Sequence, residues 1–179
     1  MKSQISVLKN SLSGDLLDGK FDNGRYSTDA SIYQIMPEAV ILPKNIEDIK
    51  KTIQFSQEHN IPILPRGGGT SQNGQTVNRA IVLDNSKYLN KIIEIDAINQ
   101  TCLVEPGVVL DELNRFLKPY GLWFPVDVST SSRATIGGMA GNNSAGGRSI
   151  RYGIMRDNVI SIDTLLSDAS DAHFGLSKK

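Results

Sequence analysis

Apolar residues along this chain recur in two periods, and the alternation between them predicts a fold of short strands interleaved with helices. Over residues 3–17, Ile5, Leu8, Leu12 and Leu16 fall at helical spacing and predict one opening helix, after which Gly14, Gly19 and Gly24 predict turns. Ala39-Val40-Ile41-Leu42 is a continuous apolar run stopped by Pro43, the signature of a short buried strand. Asn45 then predicts the N-cap of a helix with Ile46, Ile49 and Ile53 on one face, ending near Asn60. Ile61 to Leu64 returns as a strand, and further strands are expected over 80–84, 92–96 and 101–105. Leu110, Leu113 and Leu117 mark a helix ended by Pro119 and Gly121.

From Pro125 to Gly153 the pattern breaks down into serine, threonine, asparagine and glycine. A flexible linker has this composition, but Ile136, Met139 and Ala140 interrupt the polar run, which a linker does not require. Residues 159–166 resume a strand pattern, and 167–175 look like a turn and the start of the next hairpin strand. No internal repeat is evident.

At 179 residues and 19.5 kDa the chain can enclose one core or two small packed lobes. Lys+Arg and Asp+Glu are both 19, so overall charge gives no reason to expect a nucleic-acid partner. Cys102 is the only cysteine, which excludes an intrachain disulfide and a cysteine-clustered metal site, and no metal site is expected. The start lacks the apolar run of a signal peptide and no stretch is long enough to span a bilayer, so cytoplasmic residence is the default expectation.

The strongest chemical signal is Leu64-Pro65-Arg66-Gly67-Gly68-Gly69-Thr70-Ser71-Gln72-Asn73-Gly74, three successive glycines directly after an apolar strand. Such a run lets backbone N–H groups converge without Cβ interference, making an anion nest to which Arg66 adds positive charge. Gly69 to Thr76 nearly fits Walker A spacing, but Gln75 occupies the place of the phosphate-binding lysine, and the glycines miss G-x-G-x-x-G spacing. Taken alone, the run is also compatible with a permissive turn between elements, the lesser of the two readings. A second cluster, Thr135-Ile136-Gly137-Gly138-Met139-Ala140-Gly141-Asn142-Asn143-Ser144-Ala145-Gly146-Gly147, changes that balance by promising another track of accessible donors, hence a long ligand with several polar sections.

With these two loops, the strand Ala39 to Pro43, Val104-Glu105-Pro106-Gly107-Val108 and the block from Pro125 through Tyr152-Gly153, the chain resembles the FAD-binding domain of the vanillyl-alcohol oxidase and p-cresol methylhydroxylase flavoprotein superfamily. Within it, the sequence is most similar to FAD-dependent D-2-hydroxyacid (D-lactate and glycolate) dehydrogenases. The resemblance covers roughly Pro37 to Leu166 and implies an α+β fold of two lobes: mixed strands with helices over 37–123, a mainly antiparallel and truncated lobe over 124–179, and a helical extension over 1–36. It implies that Pro65, Arg66, Gly67, Gly68, Gly69, Thr70 and Ser71 wrap the FAD pyrophosphate and that Asn73 and Gly74 finish the turn. Pro106 and Gly107 would sit against the cofactor, and Asp127, Ser129, Ser132, Thr135, Gly137, Gly138, Asn142 and Ser144 would line its second side. Gly147, Ser149, Arg151, Tyr152 and Gly153 are more distant candidates.

Some superfamily members tether FAD through a histidine directly after the arginine-led glycine turn; here that position is Thr70, so the resemblance implies noncovalent FAD. The implied reaction is hydride transfer from a D-2-hydroxy acid to flavin N5, with the electron acceptor open and peripheral membrane association of a longer protein compatible. A related substrate (sugar lactone, aryl alcohol, enolpyruvyl sugar) or a non-catalytic flavin-binding remnant or subunit are the alternatives. Catalytic residues for substrate belong to a domain these residues do not contain, so little turnover and weakened FAD affinity are expected of this stretch by itself. Three other residues read simply: Asp127 as a buried carboxylate paired to backbone donors, Cys102 as a small core residue, and His59 as the last turn of a helix.

Overall fold

A computed structural model of the chain describes residues 2–176; Lys179, where the second lobe was expected to break off, lies outside the described residues. The order begins α1 (Lys2–Ser11), β1 (Asp15–Leu17), α2 (Lys20–Arg25), β2 (Ala39–Leu42), α3 (Ile46–His59), β3 (Ile63–Arg66) and β4 (Ile81–Asp84). The four strands form one mixed sheet in the order β1-β2-β4-β3, with β1 antiparallel to β2 and both β2 and β3 parallel to β4. Strand alternation divides its side chains between two cores. Ala39 and Ile41 face a cluster with Leu16, Phe55, Ile81 and Leu83, onto which Ile5 and Leu8 of α1 pack. Val40 and Leu42 join Val82, with Leu17, Tyr26, Leu64 and Tyr88 against them.

The opening helix is shorter than its apolar spacing predicts. Leu16 is buried as expected, but in β1 rather than on a helix. The carboxylate of Asp48 causes the change: wholly buried at the start of α3, it accepts from the N–H groups of Ser13 (2.8 Å), Gly14 (2.9 Å) and Lys44 (2.9 Å). Gly14 lies so close to Leu42 O that a Cβ would overlap it, and the chain turns there into the sheet. Helix α3 itself follows its sequence signals, with Asn45 capping the Asp48 N–H (2.9 Å) and Asn60 left-handed at its end. His59 closes its last turn, stacked on Phe55.

Next come the antiparallel pair β5 (Ile92–Asp96) and β6 (Thr101–Val104), then α4 (Leu110–Leu117), which runs into a 3-10 turn before left-handed Gly121. Cys102 packs against the cluster of Val108, Leu113 and Leu117, and burial raises its thiol pKa. The polar stretch after Pro125 is ordered. It forms α5 (Ile136–Gly141) and α6 (Ser149–Tyr152), and a core of Leu110, Val126, Ala134, Met139 and Met155 holds α5 to α4. The antiparallel pair β7 (Ser161–Leu165) and β8 (Asp171–Gly175) completes an α+β fold.

Replacing Asp48 with alanine leaves three N–H donors without their acceptor and is expected to lower stability by about 3 kcal/mol, read from the urea unfolding midpoint at unchanged m-value. Asp15 offers a pH test. The Lys87 ammonium (2.8 Å) and then the Tyr88 hydroxyl (2.7 Å) hold its carboxyl below the usual range. The depressed folded-state pKa makes this contribution complete above about pH 4, the ordinary carboxylate value, and lost as pH falls through the folded value. The midpoints of the native protein and Asp15→Asn are therefore expected to differ slightly at pH 6 and to converge on acidification.

Candidate functional site

The site forms at the carboxyl end of the parallel strands, where Arg66 and Asp84 are register partners. From there residues 67–80 return to begin the neighbouring parallel strand, so the first glycine loop is a crossover connection. Among the described residues no acceptor takes the N–H groups of Gly67, Gly68 or Gly69. A cleft of about 390 Å³ opens beside them. Arg66, Gly67, Gly68, Tyr26, Arg25, Asp84, Ser86 and Val109 line it together with Ser132, Arg133 and Thr135.

The two loops meet backbone to backbone. A Cβ on Gly67 would overlap Thr135 Oγ1, and one on Gly68 would overlap Arg133 O. Farther along, the Ser71 hydroxyl accepts from the N–H groups of Asn73 (3.2 Å) and Gln75 (3.3 Å) and donates to Gln75 Oε1 (2.7 Å). Gln75 Nε2 in turn donates to Asn142 Oδ1 (3.1 Å), a second bridge between the loops. Gly74 is left-handed at φ 71°, its missing Cβ occupied by the Tyr33 ring. Pro65 is exposed on β3, and Thr70 is partly buried in the turn beyond.

Arg66 does not present its guanidinium freely. It donates to the carbonyls of Tyr26 (3.2 Å), Thr28 (2.9 Å) and Thr76 (3.0 Å) and lies 5.2 Å from the Tyr26 ring centroid. Burial draws its pKa down while Asp84, Tyr26 and Asp29 oppose that shift. Asp29 fixes the other end of this brace, accepting from the Thr76 hydroxyl (3.0 Å) and N–H. Asp84 accepts from the Tyr26 hydroxyl (2.7 Å) and from Ser86 Oγ (2.6 Å). Burial, and then that bond, hold the Tyr26 hydroxyl far above its ordinary pKa.

The second glycine cluster differs from its expectation as a track of accessible donors, because Thr135 caps a helix there. The Gly138 N–H goes to Thr135 Oγ1 (3.3 Å), the Gly137 N–H to Pro106 O (2.8 Å), and those of Asn142 and Ser144 to Gly138 and Met139 carbonyls. Gly107 donates to Leu89 O (2.7 Å), so Pro106 and Gly107 wedge between the segment that follows β4 and α5. Of the side chains expected on this side, the hydroxyls of Ser129, Ser132 and Ser144 have no partner among the described residues. Asp127 pairs with a backbone donor as expected, the Arg148 N–H (3.0 Å), but its side chain is 33% exposed rather than buried. Ser149 accepts from the Gly146 N–H (2.9 Å). Gly147, Arg151 and Tyr152 line a separate cleft of about 320 Å³, where Trp123 meets the Tyr152 ring edge-on at 5.2 Å, and Gly153 follows at φ 83°.

Sequence reasoning missed Arg25, Tyr26, Asp84, Ser86 and Val109 as walls of the main cleft, and Gln75 as the bridge. None sits in a motif; only the strand pairing that carries β1 and α2 to the sheet brings the first two there. Among the described residues no group of His, Cys, Asp and Glu is placed to hold a metal ion, and no helix is long and apolar enough to cross a membrane.

Comparisons with known proteins agree with this geometry. The chain is 40% identical over 156 residues to D-2-hydroxyglutarate dehydrogenase of Escherichia coli, covering 86% of this chain and 15% of that protein. It is 41% identical over 146 residues to glycolate oxidase subunit GlcD of Bacillus subtilis (80% and 31% covered), and 37% identical over 138 residues to the mitochondrial D-lactate dehydrogenase [cytochrome] of Kluyveromyces lactis (75% and 24% covered). The chain thus spans less than a third of the length of each. In fold it superposes on alkyldihydroxyacetonephosphate synthase with a TM-score of 0.84 at 23% identity (99% of this chain, 38% of that one). It also superposes on 6-hydroxy-D-nicotine oxidase of Arthrobacter nicotinovorans with a TM-score of 0.80 at 18% identity (92% and 36%). The family described as FAD binding domain matches residues 37–173, from the start of β2 through β8, and the chain belongs to it, within the FAD-linked oxidases of the vanillyl-alcohol oxidase and p-cresol methylhydroxylase type.

Proposed function

We propose that this chain is the FAD-holding module of an oxidoreductase that oxidises a D-2-hydroxy acid, and that the dinucleotide lies in the cleft between a first lobe over 37–123 and a second over 124–179. The observation that carries the reading is the run of unpaired N–H groups on Gly67, Gly68 and Gly69 at the edge of that cleft. Donors in this arrangement suit the oxygens of a pyrophosphate. The family match supports FAD as the ligand, and the substrates named for the relatives, D-2-hydroxyglutarate, glycolate and D-lactate, support a 2-hydroxy acid.

The residues present fit the cofactor. The Cβ positions of Gly67 and Gly68 are filled by Thr135 and Arg133, which holds the turn against the second loop, and its N–H groups have no acceptor among the described residues. Ser132 lines the cleft opposite the turn, and we assign Ser129, Ser144, Asn73, Gly74, Pro106, Gly107, Gly137, Gly138 and Asn142 to the parts of the dinucleotide that extend beyond it. FAD, when bound, supplies a two-electron acceptor for the hydride of the substrate's hydroxyl-bearing carbon, the hydroxyl proton going to a base. This chain's share is to bind and orient. Arg66 contributes positive potential from behind the turn while its donors hold Tyr26, Thr28 and Thr76 in place. FAD is held without a covalent bond: Thr70 has no chemistry for a flavin tether. The two histidines are engaged elsewhere, His59 on Phe55 O (2.9 Å) and His173 on Asp163 (2.6 Å).

Titration with FAD is expected to quench flavin fluorescence saturably. Gly68→Val, which cannot fit beside Arg133 O, should weaken FAD binding at least about tenfold, a loss of about 1.4 kcal/mol; equal binding by the two proteins rejects the pyrophosphate assignment. A mass spectrum of the denatured, FAD-loaded protein is expected to show the unmodified chain mass. In the longer gene product, anaerobic bleaching of the flavin by D-lactate or D-2-hydroxyglutarate but not by the L-enantiomers supports the substrate class, and bleaching by neither removes it.

A further inference from the structure

The family's glycine turn supplies neutral donors, yet the pyrophosphate of a dinucleotide carries two negative charges. Arg66 lines the cleft beside that turn, but three of its five N–H groups are already committed to main-chain carbonyls. Two other guanidinium groups line the same cleft. Arg133 lies just before the second glycine cluster, and its guanidinium has no hydrogen bond or ion pair among the described residues. Arg25 ends α2, with Nη2 bonded to Asp22 (2.9 Å) and its side chain 54% exposed. The carboxylate in that cleft, Asp84, is 7% exposed and covered by Tyr26 and Ser86.

We propose that Arg25 and Arg133 form a two-guanidinium clamp on the diphosphate of the bound nucleotide, closing on it from the two sides of the cleft that Gly67 and Gly68 border. Arg25 lies outside the matched residues 37–173, so the clamp makes the segment before the family domain part of the binding site. It rests on the reading that the dinucleotide occupies this cleft. Arg66 is the brace that sets the turn, and Arg25 and Arg133 are the groups that touch phosphate oxygens. Guanidinium suits this task because its planar fork donates two parallel bonds to a phosphate.

The test compares the native chain with Arg25→Gln, Arg133→Gln and the double variant, using FAD fluorescence titration, competition by ADP, and urea unfolding. Each single variant is expected to raise the Kd for FAD and for ADP about tenfold. The double variant should also lose most of the salt dependence of binding, while urea midpoints stay at the native value. FAD and ADP affinities unchanged in all three variants overturn the clamp, as do losses matched by a fall in the urea midpoint. Failure of the underlying reading looks different: the native chain does not bind FAD, or Gly68→Val binds it as well as the native chain does.

Discussion

The cleft depends on one steric constraint, the approach of the first glycine turn to the backbone of residues 133–135 with no space for a Cβ between them. Each side of that contact is carried by a different core. Residues 67–69 extend from a strand whose neighbour β4 is buried along its whole length. Residues 134–136 are tied to the start of α4 by Leu110 N–H to Ala134 O (3.0 Å) and Ile136 N–H to Val108 O (2.8 Å). Two rigid bodies therefore meet through glycine, and the N–H edge of the turn is left facing the gap. A side chain here would part the two cores as well as crowd the cleft, so glycine is required by the packing itself.

Charged groups in this fold act mainly as fixings. Asp48 gathers three N–H groups where α1, β1 and α3 converge, Asp29 fastens Thr76, and Arg66 gathers three carbonyls behind the glycine turn. A buried charge is tolerated when hydrogen bonds replace its hydration, and each of these has them. The same rule explains why Tyr26 and Asp84 are paired. The first segment of the chain is thereby integral to the site: its strand β1 joins the sheet, its carbonyls hold Arg66, and Tyr33 fills the space above Gly74.

Much of this was legible in the sequence because it is local. The run Ala39 to Leu42, the Asn45 cap and the triple glycine after a strand each depend on near neighbours, and the structure has the strand, the helix and the turn there. Leu16 misled because helical spacing cannot distinguish a fourth helix position from a buried strand position. Only Asp48, 34 residues away from Gly14, decides it. The glycines from 137 to 147 misled for a related reason. Composition announces accessible backbone, but the hydroxyl of Thr135 and the apolar Met139 fold that stretch into a capped helix that uses its own donors. Arg66 was legible as a charge beside the loop and not as a brace, since its three acceptors come from three separate places in the chain.

The groups lining the cleft also set what this part of the protein contributes chemically. Tyr26 is held as a hydrogen-bond donor far above its ordinary pKa, so it does not take up a proton near neutral pH, and Asp84 is engaged by Tyr26 and Ser86. The remaining lining is backbone N–H, serine hydroxyl, threonine and guanidinium, all suited to hold anionic oxygen and none suited to remove a proton. Such a surface fixes a cofactor's position and charge state without choosing its substrate. On the proposed reading, in which this cleft takes the phosphates, substrate selection is left to groups outside its lining.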